Sequence, residues 1–381
     1  MKSLAIFVEH LYGGGVEKVL QSILRYMDRT RYSLTLYSIR EEILRDGIYP
    51  QDVEYVSLFA VVDEQDSFWV TSVKKIKNKI RLFVYYHFRP EVFYKLFVRK
   101  RYDIAIAFIE GYATRIVSGA PSNLRKIAWI HTDLLKNHWT SVSFRSFVEE
   151  KQCYQQFDKV VCVSRLIKEI MDSTYGLREK TTLIYNPIDR GEIRQLALQG
   201  LPEKYKKSDR LRLVTVGSLI PIKGYDRLLH CIWSLRNAGY NLELYMVGGG
   251  CLKESLLTYI DESGLKDVVV LTGFLDNPYP FIASADIYVC SSIAEGLNTA
   301  ISEALILGIP VISTNCSGTA ELLGDSQFGL VVPNEKEGLL NGLRKLLDEP
   351  GLRKQLSVSA YERGLAFSIE KPMECIYQLL G

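Results

Sequence analysis

Residues 287–314 read IYVCSSIAEGLNTAISEALILGIPVIST, and the order of textures in this stretch decides the fold. Ile287–Cys290 is a short apolar run, β-branched and aromatic, of the kind a buried strand uses. A small polar loop follows and carries Glu295-Gly296. A helix begins near Asn298 or Thr299, with Ala300, Ile301, Ala304 and Leu305 at helical spacing, and stops at Gly308, before Pro310. Pro310–Ser313 is then a second buried strand. Strand, loop, helix and strand in close succession, with both strands apolar throughout, predict a parallel sheet covered by helices on both faces.

The same texture extends in both directions. Leu211–Gly217, Asn241–Gly250, Val268–Thr272 and Gly329–Val332 read as strands, and Tyr225–Gly239 as an amphipathic helix closed by glycine. In the first half, Leu4–Val8 runs into Gly13-Gly14-Gly15, and a helix follows with Val16, Val19, Leu20, Ile23, Leu24 and Met27 on one side. Ser33–Ser38, Asp103–Ile109, Lys126–Ile130 and Lys159–Val163 are further strands. Each half therefore reads as its own doubly wound, Rossmann-like α/β unit. The join falls between Asn186-Pro187 and Leu211, where IDRGEIRQLALQGLPEKYKKSDR is polar with little strand character, as expected of a linker.

The chain has 381 residues, 47% hydrophobic and 24% charged, which suits two globular domains and excludes a disordered or collagen-like chain. Net charge is +3, weak support for a dedicated nucleic-acid binder, and the expectation is no nucleic-acid partner. That total hides a division: residues 1–187 carry 28 basic and 21 acidic side chains, and residues 188–381 carry 19 and 23. Seven scattered cysteines form no C-x-x-C pair and no zinc spacing, as expected of reduced thiols. The apolar run at Leu4–Val8 is too short for a secretory h-region, and no stretch reaches the length of a membrane helix. A cytoplasmic protein is expected.

Two glycine triplets follow strands. Gly13-Gly14-Gly15 opens a helix and suits either a phosphate at the helix N-terminus or a tight turn, and Gly248-Gly249-Gly250 leaves the same choice. Neither is G-x-G-x-x-G, and no G-x-x-x-x-G-K-[ST] occurs, so a nicotinamide fingerprint and a P-loop are unsupported. Glu295 and Glu303 are eight residues apart, about 80° off a common face if both were helical. With Glu295 in the loop and Glu303 one turn inside the helix, both can border one ligand, while the helix N-terminus offers free N–H groups to a diphosphate. The competing readings are an exposed helix carboxylate for Glu303 and a capping residue for Glu295.

Taken together, these segments resemble a known family. EGLNTAISEALILGIPVISTNCSGTAE is similar to the Glu-x7-Glu donor motif of retaining glycosyltransferases of family 4, the "glycosyl transferases group 1" type with the two-domain GT-B fold. Gly13-Gly14-Gly15-Val16-Glu17 resembles the family's N-terminal glycine loop, and Ile127-Ala128-Trp129-Ile130-His131-Thr132-Asp133 its strand ending at an active-site histidine. Val163-Ser164 with Asn186-Pro187-Ile188-Asp189, and Val216-Gly217-Ser218-Leu219 with Lys223-Gly224, resemble its segment before the hinge and its phosphate loop. The likeness runs through most of residues 1–370 and is loosest between 40 and 100. The family usually has Arg where this chain has Ser218, so two cations on the diphosphate become one, Lys223.

The resemblance implies two Rossmann-like domains with parallel sheets facing each other across a cleft: residues 1–187 on the acceptor side, residues 188–370 for the nucleotide-sugar, and a helix in residues 371–381 crossing back to the first. It implies sugar transfer with retention, from a nucleoside diphosphate sugar (UDP-sugar favoured) to a saccharide or lipid-linked acceptor, in bacterial surface-polysaccharide assembly. His131, Glu295 and Lys223 would carry catalysis. Gly14, Gly15, Ser218, Gly249, Phe274, Leu275, Gly296, Leu297, Asn298, Thr299 and Glu303 would bind the donor. Glu303 would accept from the ribose diol, Glu295 from the transferred sugar, and Lys223 would hold the departing diphosphate. No D-x-D triplet occurs, so neither a metal nor any other cofactor is expected. His131 also has a structural reading as a lone histidine after a strand. The rival functions are a nucleotide-sugar epimerase, another GT-B activity such as a disaccharide synthase, and a catalytically silent, membrane-associated partner subunit.

Residues 74–101 contain ten Lys/Arg, one acid, Glu91, and seven Phe/Tyr. Such a stretch suits an anionic membrane surface, with nucleic acid compatible on composition alone and a pair of ordinary amphipathic helices as the competing account. Docking on the cytoplasmic leaflet, as a peripheral protein, is the expectation.

Overall fold

The computed structural model describes residues 1–11, 14–39, 49–63, 65–205 and 209–381. Gly13 of the glycine loop and residues 206–208 of the expected linker lie outside them. The chain divides into two compact units: Met1–Tyr12, Val16–Tyr185 and Pro372–Gly381 form one, and Gly13–Gly15 with Asn186–Lys371 the other.

The first unit holds seven strands: β1 (Lys2–Val8), β2 (Tyr32–Ser38), β3 (Glu54–Ser57), β4 (Ile104–Ala107), β5 (Arg125–Ile130), β6 (Lys159–Cys162) and β7 (Thr181–Leu183). Their order is β3-β2-β1-β4-β5-β6-β7, all parallel. The second unit holds β8 (Leu211–Val216), β9 (Leu242–Val247), β10 (Val269–Gly273), β11 (Ile287–Cys290), β12 (Val311–Thr314) and β13 (Leu330–Val332), in the parallel order β10-β9-β8-β11-β12-β13. Strand order therefore reverses between β1 and β4 in one sheet and between β8 and β11 in the other. Loops leaving the carboxyl ends of strands at such a reversal splay apart and leave room for a ligand.

Alternate residues of the second sheet feed two cores. Leu213, Leu244, Val289 and Ile312 pack into one apolar cluster, and Val214, Tyr245, Tyr288 and Val311 into the other. Burial on both faces explains why β9 and β11 are apolar at nearly every position.

Three departures from the sequence reading have physical reasons. β3 (EYVS) and β7 (TTL) were not expected: they are short, half-buried edge strands without an apolar run. The segment expected as a linker contains a helix, Arg190–Ala197. Asp189 caps it by accepting from the Glu192 N–H at 2.9 Å, Ile193 is buried, and the Arg194 side chain reaches the Ile306 carbonyl. Finally, the C-terminal helix, Glu370–Leu380, begins one residue before the expected range 371–381. The Tyr377 hydroxyl donates to the Tyr26 carbonyl at 2.8 Å and accepts from the Asp28 N–H at 2.9 Å.

Candidate active site

The carboxyl ends of β8 and β11 carry most of the candidate donor residues. The loop after β8 makes a turn at Pro221–Lys223, and the loop after β11 runs to the helix Thr299–Ile306. Bonds to backbone carbonyls stitch the two loops together. Ile293 N–H donates to the Ile222 carbonyl at 2.8 Å, the Ser291 hydroxyl donates to the Lys223 carbonyl at 2.8 Å, and Arg227 Nε donates to the Ser291 carbonyl at 2.8 Å.

That stitching brings Lys223 against Glu295, with Nζ and Oε1 2.7 Å apart and both side chains largely buried. The same Oε1 accepts from Asn298 Nδ2 at 3.0 Å and from the Ser292 hydroxyl at 2.5 Å. Burial alone would lower the Lys223 pKa, but the adjacent Glu295 carboxylate overrides it and raises it. Glu295 is thus not a capping residue. The cap is Asn298, whose Oδ1 accepts from the Ile301 N–H at 3.1 Å. Thr299 opens the helix behind it. Gly318, at φ 76°, lies so close that a Cβ there would collide with the Gly296 carbonyl, which seats Gly296 and the half-buried Leu297.

Glu303 is buried at 5% exposure, so the exposed-carboxylate reading fails. It faces the Tyr279 hydroxyl at 3.5 Å. Ser218 and Gly249 lie on adjoining loops, where Leu219 N–H donates to the Gly249 carbonyl at 2.8 Å. A Cβ on Gly248 would collide with the Gly217 carbonyl, so close approach of two loops accounts for that glycine. Phe274 is half exposed, its Cβ 3.6 Å from where a Cβ on Gly249 would stand, and Leu275 packs partly into the core. Ser218 adds no cation to Lys223. Arg227 stands nearby, but its guanidinium is engaged by Ser291 and Thr314.

The structure does not join all the candidates within one unit. Gly14 and Gly15 count with the second unit, although Gly15 opens the helix Gly15–Tyr26, whose remainder belongs to the first. His131 lies in the first unit, just past β5, at 8% exposure. Its ring is 5.1 Å from that of Phe108, and its Nε2 has no partner. Burial pushes the imidazole down to about 3, against a smaller upward pull from the Phe108 backbone, so it is neutral at physiological pH. Sequence reading missed three groups. Ser292 and Tyr279 touch the two key carboxylates, and Glu110 accepts from the backbone N–H groups of His131 and Thr132. Only the position of Glu110, a carboxylate right after a buried strand, could have signalled it. Among the described residues, no group of three or more His, Cys, Asp or Glu is placed to hold a metal ion.

Comparisons with known proteins agree with this architecture. The family described as "Glycosyl transferases group 1" matches residues 201–363, and "Glycosyltransferase Family 4" matches residues 13–192. A relative from Campylobacter jejuni, N-acetylgalactosamine-N,N'-diacetylbacillosaminyl-diphospho-undecaprenol 4-alpha-N-acetylgalactosaminyltransferase, is 26% identical with both chains covered in full. Among solved structures, Anabaena HepE in complex with UDP-glucose superposes with TM-score 0.75 at 18% identity, covering 100% of this chain and 99% of its own. WaaG, a glycosyltransferase involved in lipopolysaccharide biosynthesis, gives 0.68 at 16% identity, with 99% of each chain covered. With both halves matched and the two-sheet architecture shared, the chain belongs to the group 1 glycosyltransferases of GT-B fold.

Proposed function

We propose that this glycosyltransferase moves a sugar from a UDP-sugar, with retention, to a lipid-linked saccharide in bacterial surface-polysaccharide assembly. The observation that carries the reading is the Lys223–Glu295 pair beside the Asn298-capped helix, at the reversal of strand order. Without ligand, the ammonium and the carboxylate satisfy each other. An arriving diphosphate offers Lys223 a doubly charged partner and releases Glu295 to accept from sugar hydroxyls. The N-terminus of Thr299–Ile306 adds its partial positive charge toward the distal phosphate. Lys223 and these N–H groups then stabilise charge on the leaving diphosphate without calling on a metal. Glu303 takes the ribose diol, and His131 serves the acceptor hydroxyl. The acceptor attacks on the face the diphosphate leaves, and the departing phosphate takes the acceptor's proton.

The lipid-linked acceptor is supported by the Campylobacter relative, whose name specifies a diphospho-undecaprenol substrate. It is also supported by the first unit's surface. The helix Phe68–His87 points Trp69, Val73, Ile76, Ile80 and Phe83 outward, all at 49% exposure or more. Lys75, Lys77 and Lys79 flank this stripe and are exposed. No described helix is long and apolar enough to cross a membrane. The stripe suits peripheral docking on an anionic cytoplasmic leaflet, where such an acceptor presents its headgroup.

The test supplies a panel of UDP-sugars with polyprenyl diphosphate saccharides and follows UDP release and the anomeric configuration of the product. Expected is acceptor-dependent release with retained configuration. Epimerised free nucleotide-sugar without acceptor, or an inverted product, would overturn the reading.

A further inference from the structure

Glu110 is a buried ionisable group that the proposed chemistry leaves unused. It stands three residues past β4, beside the reversal of strand order in the first sheet, and its side chain is wholly buried. One oxygen, Oε1, accepts from two successive backbone N–H groups, those of His131 at 2.5 Å and Thr132 at 2.6 Å. The other, Oε2, has no partner, and neither has Nε2 of His131. A lone carboxylate gripping two consecutive amides fixes the peptide plane between them. It thereby sets where the imidazole leaves the backbone, against Phe108 and Trp129.

We propose that Glu110 is a positioning residue for sugar transfer, its ionised carboxylate clamping the His131–Thr132 backbone and holding the imidazole in its working place. The role rests on the transferase reading above. Hydrogen bonds to an ionised acceptor are roughly twice as strong as those to a neutral one, so the clamp tightens on ionisation and loosens on protonation. Burial pushes the Glu110 carboxyl up to about 7, against the lowering effect of the backbone bonds, which puts that change within reach of ordinary pH. The groups that face it are His131, Tyr154 on the helix Phe147–Gln155, Cys162 at the end of β6, and Tyr175 past the helix Arg165–Ser173. Burial raises the two tyrosines and takes Cys162 up to about 12, while His131 is driven down, so all four stay neutral from pH 5 to 9. Beyond the tyrosines stands Glu150, held by His138 at 2.6 Å and Thr140 at 2.8 Å.

The sign follows. Turnover should fall as pH drops through about 7, when Glu110 takes up its proton. Glu110→Gln keeps the shape and a neutral acceptor for both amides but cannot ionise. Its kcat should match the low-pH plateau of the wild type, at least tenfold below the plateau at pH 8.5, and stay flat between pH 6 and 8. The donor KM should move less than twofold, and circular dichroism should be unchanged. Glu110→Ala should be slower still. A Glu110→Gln profile superimposable on that of the wild type, or a loss in donor KM with kcat kept, would overturn the clamp alone. Failure of the wild type to transfer sugar at any pH would instead overturn the transferase reading beneath it.

Discussion

At the scale of single residues, Lys223 and Glu295 hold each other's charge in the absence of ligand. Lys223 and Glu295 are largely buried, and removing one leaves the other in a poorly solvated place. Such a loss lies between the near-zero worth of exposed pairs and the several kcal/mol of buried ones, about 1–3 kcal/mol here. Glu295→Gln should therefore melt earlier than the wild type without ligand. UDP should then stabilise the variant more than the wild type, because the diphosphate no longer displaces a carboxylate from Lys223. A UDP-sugar should gain less over UDP in the variant, and turnover should fall about 100-fold, the scale of a lost charge-stabilising contact. Differential scanning fluorimetry with UDP and UDP-sugar measures both shifts. A UDP shift equal to or smaller than that of the wild type would show that the pair is not exchanged for ligand. The spacing of Glu295, Asn298 and Glu303 was legible in the sequence because helix start signals are local. The grip of Glu110 on His131 was not, because it joins the ends of two strands, 21 residues apart, that only the sheet brings together.

At the scale of one element, composition and face must be kept apart. Residues 74–101 look uniformly basic and aromatic in sequence, but the structure gives their aromatics different work. Tyr85, Phe93 and Tyr94 are core residues at 4% exposure or less. The helix Phe68–His87 is fastened through Asn78, which bonds both the N–H and the carbonyl of Ala60 at 2.8 and 2.9 Å. Its last carbonyls are held by buried Arg115 and by Arg145, cations suited to a helix C-terminus. What remains is the outward stripe from Trp69 to Phe83, which starts before the basic run and could not be drawn without knowing which face the fold had taken. If the stripe docks on lipid, Ile76→Ser with Ile80→Ser should weaken binding to anionic vesicles roughly tenfold or more, at about 1 kcal/mol for each half-exposed side chain. Replacing Lys75, Lys77 and Lys79 by Gln should cost about 1 kcal/mol per charge and remove the salt dependence. Neither set touches the core, so thermal melting should hold. Co-sedimentation with phosphatidylglycerol vesicles is the measurement, and unchanged binding in both variants would rule out this helix as the docking face.

At the scale of the whole molecule, the two-unit plan was visible in the sequence because buried parallel strands are continuous apolar runs, which need no partner to be recognised. The ends of the units were less visible. The Arg190–Ala197 helix hides among charges, since its stability comes from Ile193 and a capping aspartate rather than from a broad apolar face. The final helix is the clearest case of distant chain closing a unit. Pro372–Gly381 belongs with the first unit although the preceding 186 residues, Asn186–Lys371, form the second. Its fastening is specific: Tyr377 bonds Tyr26 and Asp28 through one hydroxyl, its ring stacks 6.1 Å from Tyr32, and Lys2 Nζ holds the Leu380 carbonyl at 3.0 Å. Tyr377→Phe removes both hydroxyl bonds and keeps the ring, a loss of about 1–2 kcal/mol. Because the bonds lie within one unit, amide hydrogen exchange should accelerate in β1, β2 and the helix Gly15–Tyr26, while β8–β13 keep their protection. Exchange that rises equally in both units would mean that the two unfold as one body, and exchange that rises in neither would mean that the hydroxyl carries no weight.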